Sequence, residues 1–143
     1  DDTWNHIQQL IEIRRGLAEV HLIRGEHELA WRYANDAIYL AKGRDHTLPM
    51  IEVYITMGHI AEDYADVPEP AAYYYTLGRD ILKEQGKSVP IARILLQEAL
   101  YQYFRENLDD ARRLAKEAHL MFIELNVEGD SRLAKYIISM DQA

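Results

Sequence analysis

The chain contains no cysteine, which excludes a disulfide framework and a thiolate metal site and fits a reducing, cytoplasmic setting. It also lacks long apolar runs. Stretches such as Ile94-Leu95-Leu96 are broken by charge within a few residues, far short of the roughly 20 needed to span a bilayer, and no segment has the layout of a signal peptide. No membrane partner is expected. Positive charge is scarce: 16 basic side chains against 24 acidic ones give a net charge of −8. Such a field repels a phosphate backbone unless a basic face is segregated, and the pairs Arg14/Arg15 and Arg112/Arg113 are too short to make one. No nucleic acid is therefore expected. A glycine-rich phosphate loop is missing too. The chain opens on Asp1 rather than methionine, as expected of a processed product or a piece of a longer protein.

What is present is a recurring triplet of mostly small residues. Ala30, Ala34 and Ala37 are answered by Ala71, Tyr75 and Gly78, then by Ala111, Ala115 and Ala118, after 41 and then 40 residues. Upstream of each triplet another small residue recurs at Ala18, Gly58 and Ala99. A period of this size marks stacked supersecondary units, with a small residue wherever one helix lets another approach closely.

Apolar spacing of three and four residues predicts a helix over 4–24, with Thr3 as N-cap and Gly25 ending it, and a second over 27–41, closed by Gly43. Thr47-Leu48-Pro49 and Ser88-Val89-Pro90 repeat each other, each offering a hydroxyl cap followed by proline in the first turn, where a missing N–H costs nothing. They open helices over 48–65 and 89–106. Partner helices are expected over 68–85, with Pro68 and Pro70 in its first turn, and over 108–125, with Asn107 at the connection. A seventh helix, within 130–141 and capped by Asp130, places Leu133, Tyr136, Ile137 and Met140 on one face. It is either a cap on the stack or the start of a fourth unit. The expected architecture is an all-α, right-handed solenoid of three helix-turn-helix repeats (4–43, 47–85 and 88–125) plus this end helix, forming one domain over 1–143.

Leu17-Ala18, Gly25, Ala30, Ala37 and Leu40 resemble the signature of the tetratricopeptide repeat, and the corresponding residues of the other two units, Met57-Gly58, Ala71, Tyr75 and Gly78, then Ala99, Leu108, Ala111, Ala115 and Ala118, are similar to it in the same order. The units run 40 to 41 residues, against the 34 usual in the family, and so look like the longer repeats of bacterial signal-transducing ATPases, transcriptional activators and peptide-sensing regulators. The resemblance implies a protein- or peptide-interaction module, the scaffold or sensor of a larger regulatory protein. The alternative is an effector-binding domain of a transcriptional regulator.

In such arrays the first helix of each unit lines the concave side. The inward stripes are then Glu12, Arg15, Glu19 and Leu22; Glu52, Ile55, His59, Glu62 and Asp63; and Arg93, Leu96, Leu100, Tyr103 and Phe104. This groove is acidic in its middle and apolar at its C-terminal end, which suits a peptide carrying basic residues beside large apolar anchors. Leu100, Tyr103 and Phe104 can equally be core beneath the end helix. The carboxylate clamp of some family members, built on lysine, arginine and asparagine, is not expected, because acidic residues fill the comparable positions.

His59, Glu62 and Asp63 share a helical face at a spacing that suits a divalent ion. No second helix supplies a matching pair, so no metal is expected. Thr47, Ser88 and Ser131 are accounted for as caps or cap neighbours, and His6, His21, His27, His46 and His119 are scattered, with His21 expected to pack. No catalytic set and no cofactor are expected. Of Tyr73, Tyr74 and Tyr75, Tyr75 is the expected buried member, since successive helical residues diverge by about 100°. The others are either merely exposed or, near Trp31 and Tyr33, part of a weak homodimer contact.

Overall fold

A computed structural model of the chain describes residues 2–43, 46–127 and 132–139. Among the described residues seven helices follow one another: α1 (Asp2–Ile23), α2 (His27–Gly43), α3 (Thr47–Asp63), α4 (Ala71–Gln85), α5 (Val89–Phe104), α6 (Leu108–Glu124) and α7 (Arg132–Ser139). The described residues contain no strand, so the protein is all-α. None of the described helices is long and apolar enough to cross a membrane. The chain divides into two compact units, residues 1–85 and 86–143.

In the first unit α1 and α2 form a hairpin, α3 rests on both of them, and α4 folds back on α3. The buried core runs through Ile11, Ala18, Leu22, Ala30, Ala34, Ala37, Val53, Met57 and Ile60. The second unit repeats the arrangement, with α5 and α6 as the hairpin and α7 resting on both. Ala99, Ala111, Ala115 and Ala118 are fully buried there, as are Ala18, Ala30, Ala34 and Ala37 in the first unit. The small residues therefore lie inside the packed helix faces, as their spacing predicts. Ala71 differs, being only half-buried because it is the first residue of α4.

The same repeat position meets different surroundings in different helices. Val53 and Ile60 of α3 are fully buried, whereas their counterparts in α1, Ile13 and Val20, are exposed. α3 has a preceding helical pair to rest on, and α1 has no such pair among the described residues.

Three connections share one hydrogen-bonded C-cap. After α1, Gly25 N–H donates to Leu22 O (3.0 Å) and Glu26 N–H to His21 O (2.9 Å), with Gly25 at φ +76°. After α5, Glu106 N–H donates to Tyr103 O (3.0 Å) and Asn107 N–H to Gln102 O (2.9 Å); after α6, Asn126 N–H donates to Ile123 O (3.1 Å) and Val127 N–H to Phe122 O (2.9 Å). Both patterns need a left-handed residue, and they impose φ 65° on Glu106 and 62° on Asn126. The Asn107 side chain does not cap α6. It donates instead to Gln102 Oε1 (2.7 Å), and Gln102 in turn donates to Glu98 Oε1 (2.9 Å), so that the exposed Asn107 is tied to two buried polar side chains of α5.

Several expected boundaries shift. The Ser88 cap forms, its Oγ accepting from Ile91 N–H at 3.3 Å. At the other such sequence α3 starts one residue earlier, so Thr47 lies inside the first turn and the N-cap is His46, whose side chain makes no capping bond. His46 is buried and stacks on Trp4 with ring centroids 3.7 Å apart. Thr3 likewise lies within α1, which begins at Asp2. Helix α4 begins at Ala71, leaving Pro68 and Pro70 in the connection, because the residue before a proline is pushed out of the helical region and both Val67 and Glu69 are such residues. In α7 the buried residues are Ala134 and Ile137, while Leu133 and Tyr136 are exposed. The stripe expected to face the stack is thus rotated, because the small Ala134 permits the closest approach. Asp130, the expected cap, and Met140 of that stripe lie outside the described residues, as does Ser131.

Candidate functional site: the α1–α3 face

The inward stripes predicted for the first two units meet where α1 lies beside α3. Residues 12, 15 and 19 follow one line of α1, and residues 52, 56 and 59 follow one line of α3, each advancing about one turn at a step. Packing these lines together produces a ladder of polar contacts. Arg15 Nη2 lies 3.5 Å from Glu52 Oε2, and His59 Nδ1 donates to Glu19 Oε1 at 3.0 Å. A carboxylate can only accept, which fixes the proton on Nδ1. The Thr56 side chain adds a further hydrogen bond to Glu19.

Helix α4 closes the far side. Tyr75 donates its hydroxyl proton to Glu62 Oε1 at 2.9 Å, and its ring meets the His59 imidazole edge-on, with centroids 6.1 Å apart. The tyrosine reaches this place because position 58 has no side chain. A Cβ on Gly58 would fall within 2.7 Å of three atoms of the Tyr75 ring. In the other two units the same pair of positions is Ala18 with Ala34 and Ala99 with Ala115. Glycine opposite tyrosine is the volume-compensated version of alanine opposite alanine.

The two central carboxylates are tuned in opposite directions. Burial would raise the Glu19 carboxyl, but the hydrogen bond and charge of His59, the Thr56 hydroxyl and the nearby Arg15 together hold it below its ordinary value. Glu52 is raised, first by burial and then by the neighbouring Glu12, against which Arg15 pulls it down. Glu12 and Asp63 are exposed at the edges of the face, and Ile55 is half-buried, its side chain reaching toward Gly78 of α4. Counting Glu12, Glu19, Glu52, Glu62 and Asp63 against Arg15, the face carries five carboxylates and one fixed cation.

The remaining predicted residues separate by environment. Leu22 belongs to the core and does not line the face. In the second unit, Leu96, Leu100 and Tyr103 are half-buried along α5, Arg93 is exposed, and Phe104 is 77% exposed with its ring edge-on to Tyr103. Phe104 is therefore not core. His59, Glu62 and Asp63 do not converge on a common point, since His59 turns to Glu19 and Glu62 to Tyr75. Among the described residues no group of three or more histidine or acidic side chains is placed to hold a metal ion.

Of the three consecutive tyrosines, Tyr74 is the buried one at 5% exposure, packed edge-on against Trp31 with centroids 5.5 Å apart, while Tyr73 is 47% exposed. The expectation for Tyr75 is corrected by the way α4 packs, which turns Tyr74 toward Trp31 of α2 and leaves Tyr75 half-buried toward Gly58 and Glu62 of α3. His21 packs as expected, stacked on Tyr33 with centroids 5.4 Å apart. The residues missed by sequence reasoning are Thr56 and Tyr75. For Tyr75 a signal existed, a large residue standing in the small-residue triplet with a glycine 17 positions before it.

Compared with known proteins, the chain matches no family model, no curated protein and no solved structure.

Proposed function

We propose that this protein is a protein- or peptide-binding module of the tetratricopeptide kind, a right-handed solenoid whose first helices line the binding surface. The observation that carries the reading is the α1–α3 face: a polar, net-negative strip with Glu12 and Asp63 exposed at its edges and the half-buried Ile55 on the same helix as Glu52, Glu62 and Asp63. The recurrence of one packing pattern, α3 on α1 and α2, then α7 on α5 and α6, supports the repeat assignment. The matching ligand is a peptide segment with lysine or arginine side chains opposite Glu12 and Asp63 and one or two large apolar anchors. Exposed carboxylates at the rim set the on-rate and the partner's charge, and apolar contacts hold the complex. In this reading the chain is the scaffold or sensor of a larger cytoplasmic regulator, works without catalysis, metal or cofactor, and does not bind nucleic acid.

Titrating a fluorescent amphipathic peptide containing lysine and leucine, with a glutamate-for-lysine peptide as control, tests the reading. Binding should weaken steeply between low and high salt, because rim charges are screened over roughly 10 Å at 0.1 M. The double variant Glu12→Lys with Asp63→Lys should abolish it without unfolding the protein, since both side chains are exposed. Equal binding of both peptides would reject the proposal. A second reading, a small-molecule effector domain, is favoured by a crevice of about 490 Å³ lined by Ile7, Tyr39, Leu40, Lys42 and Gly43. Its charged group, Lys42, lies over the Tyr54 ring, 5.8 Å from the centroid.

A further inference from the structure

We propose that the Glu19–His59 pair is a proton-dependent latch that holds α1 against α3. The pair joins residues 40 positions apart in sequence, and it is the most enclosed rung of the ladder between the two helices: the His59 side chain is 10% exposed and that of Glu19 28%. Histidine is the side chain whose charge ordinarily changes between about pH 5 and 8. Protonated, His59 gives the enclosed Glu19 carboxylate a full countercharge at 3.0 Å. Neutral, it still donates from Nδ1, but Glu19 then faces one cation, Arg15, which is shared with Glu52 at 3.5 Å. A partly enclosed carboxylate short of countercharge is better solvated by water than by the interface, and full hydration of Glu19, which is 28% exposed, requires α1 to part from α3.

Every element around the imidazole fits this role. From α1 it faces Glu19, with Arg15 one turn away. Along α3 itself lie Glu52, Thr56, Glu62 and Asp63. From α4 it meets the Tyr75 ring edge-on, with the Tyr75 hydroxyl directed to Glu62. Helix α2 brings Lys42 over Tyr54 of α3 and His27 against Tyr64, just past the end of α3, at 5.6 Å, both tyrosines standing five residues along the chain from His59. The carboxylate end of the latch stays charged throughout this range, because Glu19 titrates below its ordinary value of 4.5. The latch is therefore closed in mildly acidic solution and loosens as the imidazole loses its proton.

Amide hydrogen exchange of the full chain tests the latch, with protection factors corrected for intrinsic rates between pH 5.5 and pH 8.5. Protection of the α1 amides around Ile11 to Leu22 should fall by about tenfold across this range, equivalent to about 1.4 kcal/mol. In His59→Gln, which keeps a donor but not the charge change, the fall should vanish. A fall retained in His59→Gln, or none in the wild type, overturns the latch. A second measurement needs no variant: the imidazole resonances of His59 and the backbone amide shifts of Glu19 and Thr56, followed by NMR through the same range in the wild type. Coincident midpoints support the latch, and amides that do not follow the ring refute it.

Discussion

Replacing Gly58 by alanine should destabilise this protein even though alanine is the better helix former. Moving glycine to alanine in a helix interior gains about 1 kcal/mol of propensity. Here the added Cβ falls within 2.7 Å of three Tyr75 ring atoms, a separation that no packed side chain tolerates. The ring is held at its far end by the bond to Glu62 (2.9 Å) and lies edge-on to His59, so it cannot rotate away without giving up those contacts. Overpacking of this kind costs about 1–3 kcal/mol, and the lost hydrogen bond leaves an under-solvated carboxylate worth about another 1 kcal/mol. The net expectation is a loss of about 1–3 kcal/mol, a drop in melting temperature of about 3–9 °C for a chain of this length. Urea denaturation of Gly58→Ala, Tyr75→Ala and the double variant closes the cycle. The double variant restores the alanine-on-alanine pairing of the other two units, so the two losses should fail to add by about 1–2 kcal/mol. A Gly58→Ala protein as stable as the wild type, or an additive cycle, would refute the steric reasoning.

Three further outcomes follow from the same structure. Glu106→Gly should raise stability by about 0.5–1 kcal/mol, because a left-handed φ of 65° costs an L-residue about 1–2 kcal/mol and glycine little, offset by glycine's greater freedom when unfolded; chemical denaturation checks it. Ala111→Arg puts a long cation at a position with no exposed surface, a change that costs about 3–5 kcal/mol and should abolish cooperative melting in calorimetry. Glu19 and Glu52 should respond oppositely to neutralisation. The folded-state value of Glu19 is depressed, so its contribution is present above its unfolded value near 4.5 and is lost as pH falls through the lower folded one; Glu19→Gln should destabilise at pH 7 and flatten the acid side of the stability curve. Glu52 is raised, so its charge opposes folding at neutral pH, and Glu52→Gln should cost no more than about 0.5 kcal/mol despite the contact with Arg15.

Much of the candidate face was legible. The stripes at residues 12, 15 and 19 and at 52, 55, 59 and 62 follow from helical phase alone, and α1 and α3 bring them to one side. Their pairing was not legible, because Glu19 and His59 are far apart along the chain and nothing local distinguishes a carboxylate bound to a neighbouring helix from one left to a ligand. Phe104 shows the opposite limit. Its spacing with Leu100 fits core and groove equally well, and only its 77% exposure separates the two.

The amino-acid sequence by itself determined the helices, their hairpin order and the positions that must be small, because these rest on short-range rules: apolar spacing, the Ser88 cap, Gly25 at a left-handed turn, and side chains that either admit a neighbouring helix or do not. Tertiary packing decided everything that depends on rotational phase and on distant partners. The packing of α4 turned Tyr74 inward against Trp31 and Tyr75 toward Gly58, the small Ala134 set which side of α7 is buried, and the contact between α1 and α3 converted separate stripes of charge into bonded pairs. A single helix has no preferred partner until another surface arrives, and one residue of phase, about 100°, is enough to change which side chain meets it.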